Sequence, residues 1–136
     1  MGWRSIRAVL AGAVVGVAVT TLVDVGLHVA GVFPPIDVPI DDRQALLASA
    51  YRLVIGIGSA WLTARLAPGR PLQHALVLGG LGAAVAFVGV LATWRLDLGP
   101  RWYPISLVVL AGPQAWVGAR LWMAGASRRP APTGRA

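Results

Sequence analysis

The chain has 136 residues, 57% hydrophobic and only 12% charged, which is the length of one small domain and too apolar for an ordinary soluble one. Its net charge of +7 comes from twelve basic residues, all Arg, with no Lys and no Glu; they flank apolar runs instead of lining one face, which argues against nucleic acid as a partner. There is no Cys, which excludes disulfides, thiol redox chemistry and Cys-ligated metals.

Four apolar runs are each long enough to cross a bilayer. They predict an all-α, polytopic membrane protein, a four-helix up-down-up-down bundle in one domain over residues 1–125. Little chain is left for a separate catalytic domain.

Residues 1–7 are a short basic start, and the first span is expected over about 6–33. A basic start before an apolar run also fits a signal peptide. This run is too long for an ordinary hydrophobic signal region, contains Asp24 and lacks a small-residue cleavage site, so it reads as a retained span. Along it, Gly12, Gly16, Thr20, Asp24 and His28 recur at a spacing of four. Small residues let a second helix approach closely, and polar ones on the same row then face protein.

Residues 34–43 form a Pro- and Asp-rich loop. Asp41 followed by Gln44 predicts a capping box opening the second span, about 43–65. Here Ser49, Arg52, Gly56, Ser59 and Thr63 repeat every 3.5 residues on average, the seam of a left-handed bundle. Tyr51, beside Arg52, is a secondary polar candidate, as is Thr20.

Pro68-Gly69-Arg70-Pro71 is a turn. The third span, about 72–94, repeats the seam through Ala75, Gly79, Gly82, Ala86, Gly89 and Thr93. The fourth, about 102–123, offers Ala111, Ala115 and Gly118 for packing, with a kink expected at Pro113 and a polar group, Gln114, near mid-depth. Residues 126–136 are basic and Pro-containing, and are expected to be a disordered cytoplasmic tail.

Ala60-Trp61-Leu62-Thr63-Ala64-Arg65-Leu66 aligns with Ala115-Trp116-Val117-Gly118-Ala119-Arg120-Leu121, and Ala8 and Gly12 match Ala75 and Gly79. The alignment is compatible with two duplicated hairpins and equally with coincidence among Ala- and Leu-rich helices.

One side of the threaded chain would carry Arg4, Arg7, Arg65, Arg70, Arg120, Arg128, Arg129 and Arg135, the other Arg43, Arg95 and Arg101. Eight against three predicts that both termini are cytoplasmic. Trp3, Trp94, Trp102, Tyr103 and Trp122 lie near span ends, as aromatic belts do.

The residues that do not belong in lipid are Asp24, His28 and Arg52. Asp24 lies nine residues before Phe33, and Arg52 nine after Arg43. At about 1.5 Å per residue, both sit ~13 Å below the same surface. Charges at that depth pair inside the bundle, so Asp24 and Arg52 are expected partners. His28 is one turn further out on the same face. His28 and His74 fall near opposite surfaces, too far apart to share one haem iron. No metal or cofactor is expected.

Several pieces together resemble a family of small four-span bacterial inner-membrane proteins of unknown function: Asp24 to His28 before Gly31-Val32-Phe33-Pro34-Pro35; Tyr51-Arg52; Thr63-Ala64-Arg65-Leu66-Ala67-Pro68; Pro71 to His74-Ala75; and Gly99-Pro100 before Trp102-Tyr103-Pro104. The resemblance covers most of the chain. It implies a bacterial inner-membrane protein and no chemistry.

No Ser/His/Asp set, metal cluster or phosphate loop is present, which argues against an enzyme. Small multidrug exporters also have four spans and a carboxylate in the first, but their dual insertion needs balanced loop charges. The expected function is therefore structural or accessory: a bundle with a buried Asp–Arg pair, in contact with the lipid bilayer and with a second copy or a membrane-protein partner. The alternative is a small proton- or solute-handling transporter or channel.

Overall fold

The computed structural model describes residues 2–128. It consists of four helices, α1 (Trp3–Val29), α2 (Asp42–Leu66), α3 (Pro71–Thr93) and α4 (Trp102–Ser127), with no strand among the described residues. Helices α1, α2 and α3 are long and apolar enough to cross a membrane. Helix α4 is of similar length, but Pro104, Pro113, Gln114 and Arg120 dilute its apolar character and it is not one of the three.

Local chemistry sets the helix ends. Helix α1 stops four residues before the expected Phe33, because Gly31 takes φ +72°. The Gly31 N–H then donates to His28 O (3.1 Å) and the Val32 N–H to Leu27 O (2.9 Å), a Schellman motif that satisfies the last carbonyls. Helix α2 opens on the expected capping box: Gln44 N–H donates to Asp41 Oδ1 (2.8 Å), and Asp41 N–H to Gln44 Oε1 (3.0 Å). Gln44 Nε2 also donates to Val32 O (2.9 Å), which ties the end of α1 to the start of α2. Helix α4 is unbroken through Pro113 and runs four residues past the expected Met123. It thus includes Ala126 and Ser127, and residues 129–136 of the expected tail lie outside the described residues.

Contacts between small residues set the helix directions. Gly12 meets Ser59 and Thr63, Gly16 meets Ser59, and Asp24 meets Arg52, so α1 and α2 are antiparallel. Asp42 pairs with Trp102, Ser49 with Ser106, Gly56 with Gln114 and Ala60 with Gly118, so α2 and α4 run parallel. Gly79 packs on Ala111 and Ala115, and a short loop returns α3 into α4 as a second antiparallel hairpin. Helix α2 touches all three others; α1 touches α2 and, less, α3, but not α4. Around the bundle the order is therefore α1, α2, α4, α3.

The best-packed part of the core is an alanine cluster of Ala60, Ala64, Ala75, Ala115 and Ala119, with Leu72, Leu78 and Trp122 against it. Alanine and glycine bring the backbones close, so the gain is van der Waals contact along the helices rather than burial of large side chains. This cluster lies toward the end of the bundle that holds the termini. The opposite end carries two loops, joined by the Ile40 N–H donating to Leu98 O (3.0 Å) and by Trp102 Nε1 donating to Asp42 Oδ1 (2.7 Å). Gly99 is required there: its φ is +153°, and a Cβ would stand 2.7 Å from Ile40 Cγ1.

Candidate functional site

Asp24 and Arg52 meet between α1 and α2. Arg52 Nη2 donates to Asp24 Oδ2 at 2.7 Å, with the two side chains 31% and 27% exposed. The other carboxylate oxygen, Oδ1, accepts from the Tyr51 hydroxyl. Both oxygens of Asp24 are therefore engaged by consecutive residues of α2. Residues 51 and 52 point about 100° apart on a helix, so two neighbours of unlike length converge on one carboxylate from either side.

His28 stays at the edge of this centre. Its Nδ1–H donates to the Asp24 backbone carbonyl (2.7 Å), not to the carboxylate. Its ring packs edge-on against Phe33 (5.5 Å between centroids), and Phe33 in turn leans on Tyr51 (6.5 Å). A spacing of four overshoots one helical turn by about 40°, so the row that starts on the α2 face at Gly12 has rotated toward the loops by His28. Phe33 is 7% exposed; the Gly31 turn folds it back over the polar centre.

Tyr103, expected in an aromatic belt, also reaches the centre. The Arg52 guanidinium lies 5.9 Å from its ring and 6.0 Å from the Tyr51 ring, within cation–π range. Nothing in the spacing of α2 announces this contact; it depends on α4 running parallel to α2, with Tyr103 on the loop side of Arg52.

The expected seam of α2 is used, but it divides between two neighbours. Arg52, Ser59 and Thr63 face α1, while Ser49 and Gly56 face α4, Ser49 Oγ lying 3.4 Å from Ser106 Oγ and Gly56 against the Gln114 amide. Gly12, Gly16, Gly56, Gly79 and Gly118 all sit where a Cβ would strike a neighbouring helix. Gly82 and Gly89 do not: open space lies where their side chains would be, which corrects their assignment as packing glycines. At about 100° per residue, Gly82 and Gly89 point roughly 60° and 80° away from Gly79, off the α4 face.

Two cavities flank the centre. One, of about 400 Å³, lies between all four helices and is walled by Thr20, Arg52, Ser59, Gly82 and Gln114 among others. The other, of about 310 Å³, lies under the two loops and is walled by His28, Tyr103, Trp94 and four prolines. Arg52 belongs to the first wall only, His28 and Tyr103 to the second only. His74 is at the opposite end of the bundle, where its Nδ1–H donates to Arg70 O (3.1 Å). No protein-family model, curated protein or solved structure matches the chain.

Proposed function

We propose that all four helices cross the bacterial inner membrane, up-down-up-down, with both termini in the cytoplasm. Support for α4 as the fourth span comes from its length and from its parallel register with α2. Support for the orientation comes from the arginine asymmetry. Reporter fusions at residues 38, 69, 98 and 136 should then read outside, inside, outside and inside; a periplasmic residue 136 overturns the threading.

Within the membrane the protein acts as a structural or accessory bundle that a second copy or a partner helix joins. The observation that carries this reading is the closure of the polar centre. Asp24 has no free carboxylate oxygen, since Arg52 and Tyr51 take both, so the charges cancel locally and lock α1 onto α2. The faces that remain open are apolar or small, among them Val14 on α1 and Gly89 on α3.

A second reading, a small transporter or channel, is favoured by one observation: the pair stands between two cavities, with Arg52 on one wall and His28 on the other. Liposomes with a pH-sensitive dye inside separate the two. The accessory reading expects flat traces for wild type, His28→Ala and Asp24→Asn alike. Proton or solute flux in wild type that both variants lose establishes transport and overturns it.

A further inference from the structure

Among the described residues, the arginines at the termini end have no carboxylate to answer them. All five aspartates, at 24, 37, 41, 42 and 97, lie in or toward the two-loop half of the chain. Asp24, the nearest along α1, is 17 residues from Arg7, ~25 Å along the helix. The single ion pair among the described residues is Arg52–Asp24. Two of the termini-end arginines instead lie over tryptophans: Arg65 over Trp61 (5.5 Å) and Arg120 over Trp116 (5.0 Å). Arg4 and Arg7 have neither a carboxylate nor an aromatic partner among the described residues.

These two arginines wall a recess of about 430 Å³ together with Ala8, Ala11, Leu66 and Pro68. Positions 4, 7, 8 and 11 form one stripe of α1, with the charges at the helix start and small residues further in. Across the recess stand Leu66, the last residue of α2, and Pro68 of the following turn. The site is thus cationic at its mouth and apolar along its floor, where Ala8 is buried and Leu66 half exposed. Two guanidinium groups one turn apart suit a phosphate, which takes several N–H donors at once. The alanine floor suits the first methylenes of an acyl chain running into the membrane.

We propose that Arg4 and Arg7 hold the phosphate of an anionic phospholipid in the cytoplasmic leaflet, its acyl chain lying along Ala8, Ala11 and Leu66. This rests on the membrane placement and orientation proposed above. The bound lipid supplies a countercharge to Arg4 and Arg7, and it fills the gap between the start of α1 and the α2–α3 turn.

The test is native mass spectrometry of the full chain released from nanodiscs of phosphatidylcholine doped with phosphatidylglycerol. Wild type should retain one phosphatidylglycerol in preference to phosphatidylcholine. The Arg4→Gln/Arg7→Gln double variant should lose that preference, with apparent affinity falling roughly 30-fold at about fivefold per arginine. Both residues are exposed at a helix start, so the fold is expected to survive, and the far-ultraviolet circular dichroism of the variant checks that it does. Arg70→Gln/Arg128→Gln removes the same charge at the same end and should keep the preference. If it loses it equally, the effect is diffuse charge and the site is overturned. Soluble glycerol phosphate should not compete; if it does so at equal concentration, the site is one for free phosphate. A chain that cannot be reconstituted at all refutes the membrane placement, whereas one that reconstitutes with no lipid preference refutes only the site.

Discussion

The two hairpins have the same plan and are held together by different forces. Helices α3 and α4 close over Ala75, Gly79, Ala111, Ala115 and Ala119, with no charged group between them. Helices α1 and α2 touch through Gly12 and Gly16 near the termini and through Asp24, Arg52 and Tyr51 toward the loops. Their contact is the less extensive of the two. The aligned segments of α2 and α4 lie parallel and repeat a detail, Trp61 under Arg65 and Trp116 under Arg120. One hairpin thus relies on close backbone approach around Gly79, Ala111 and Ala115. The other adds a directional polar lock on its loop side, with Arg52 also on the wall of the 400 Å³ cavity. A charge pair specifies which residues must meet but is costly to break; a small-residue seam is less specific and tolerates loss of any one member better.

The largest effect should come from breaking the lock on one side. Asp24→Asn or Arg52→Leu strands the other group, and each should destabilise the protein by about 3 kcal/mol, the low end for buried pairs because both side chains keep some exposure. Thermal unfolding in detergent micelles measures it. The double variant should recover part of the loss; strictly additive losses would show that the two residues are not partners.

Next comes the seam of the second hairpin. At Gly79 a Cβ would stand 2.7 Å from the Ala115 Cβ and 2.8 Å from Ala111 O, so Gly79→Leu should cost about 2 kcal/mol through overpacking. Gly89→Ala, three turns along the same helix and facing open space, should instead gain about 0.5 kcal/mol from helix propensity. Equal losses at both positions would mean that α3 packs along its whole length and that the contrast drawn here is wrong.

The smallest of the losses probes how the lock is shared. Tyr51→Phe removes one hydrogen bond to a carboxylate and leaves the Arg52 pair in place, so about 1.5 kcal/mol should go. In the Asp24→Asn background the same change should cost clearly less, because its acceptor is no longer charged. An undiminished loss there would assign Tyr51 a packing role only.

What the sequence determined was local or set by depth. The capping box of Asp41 and Gln44 was legible because a helix start is decided within four residues. The helices were legible to within about four residues at each end, the error at α1 arising because apolarity continues through Val32 and Phe33 while the backbone turns at Gly31. The Asp24–Arg52 pair was legible because two opposite charges at equal depth in consecutive antiparallel helices have few other partners. The tertiary structure alone decided which helices became neighbours. The order α1, α2, α4, α3 brings Tyr103 to Arg52 and Gln114 to Gly56, pairs separated by more than fifty residues with no local signature. It also leaves Gly82 and Gly89 without a neighbour although their spacing matches that of Gly79. A stripe of small residues records that a helix is able to approach another closely; whether one lies there depends on how the helix is rotated in the bundle, and that is fixed by the sum of all its contacts.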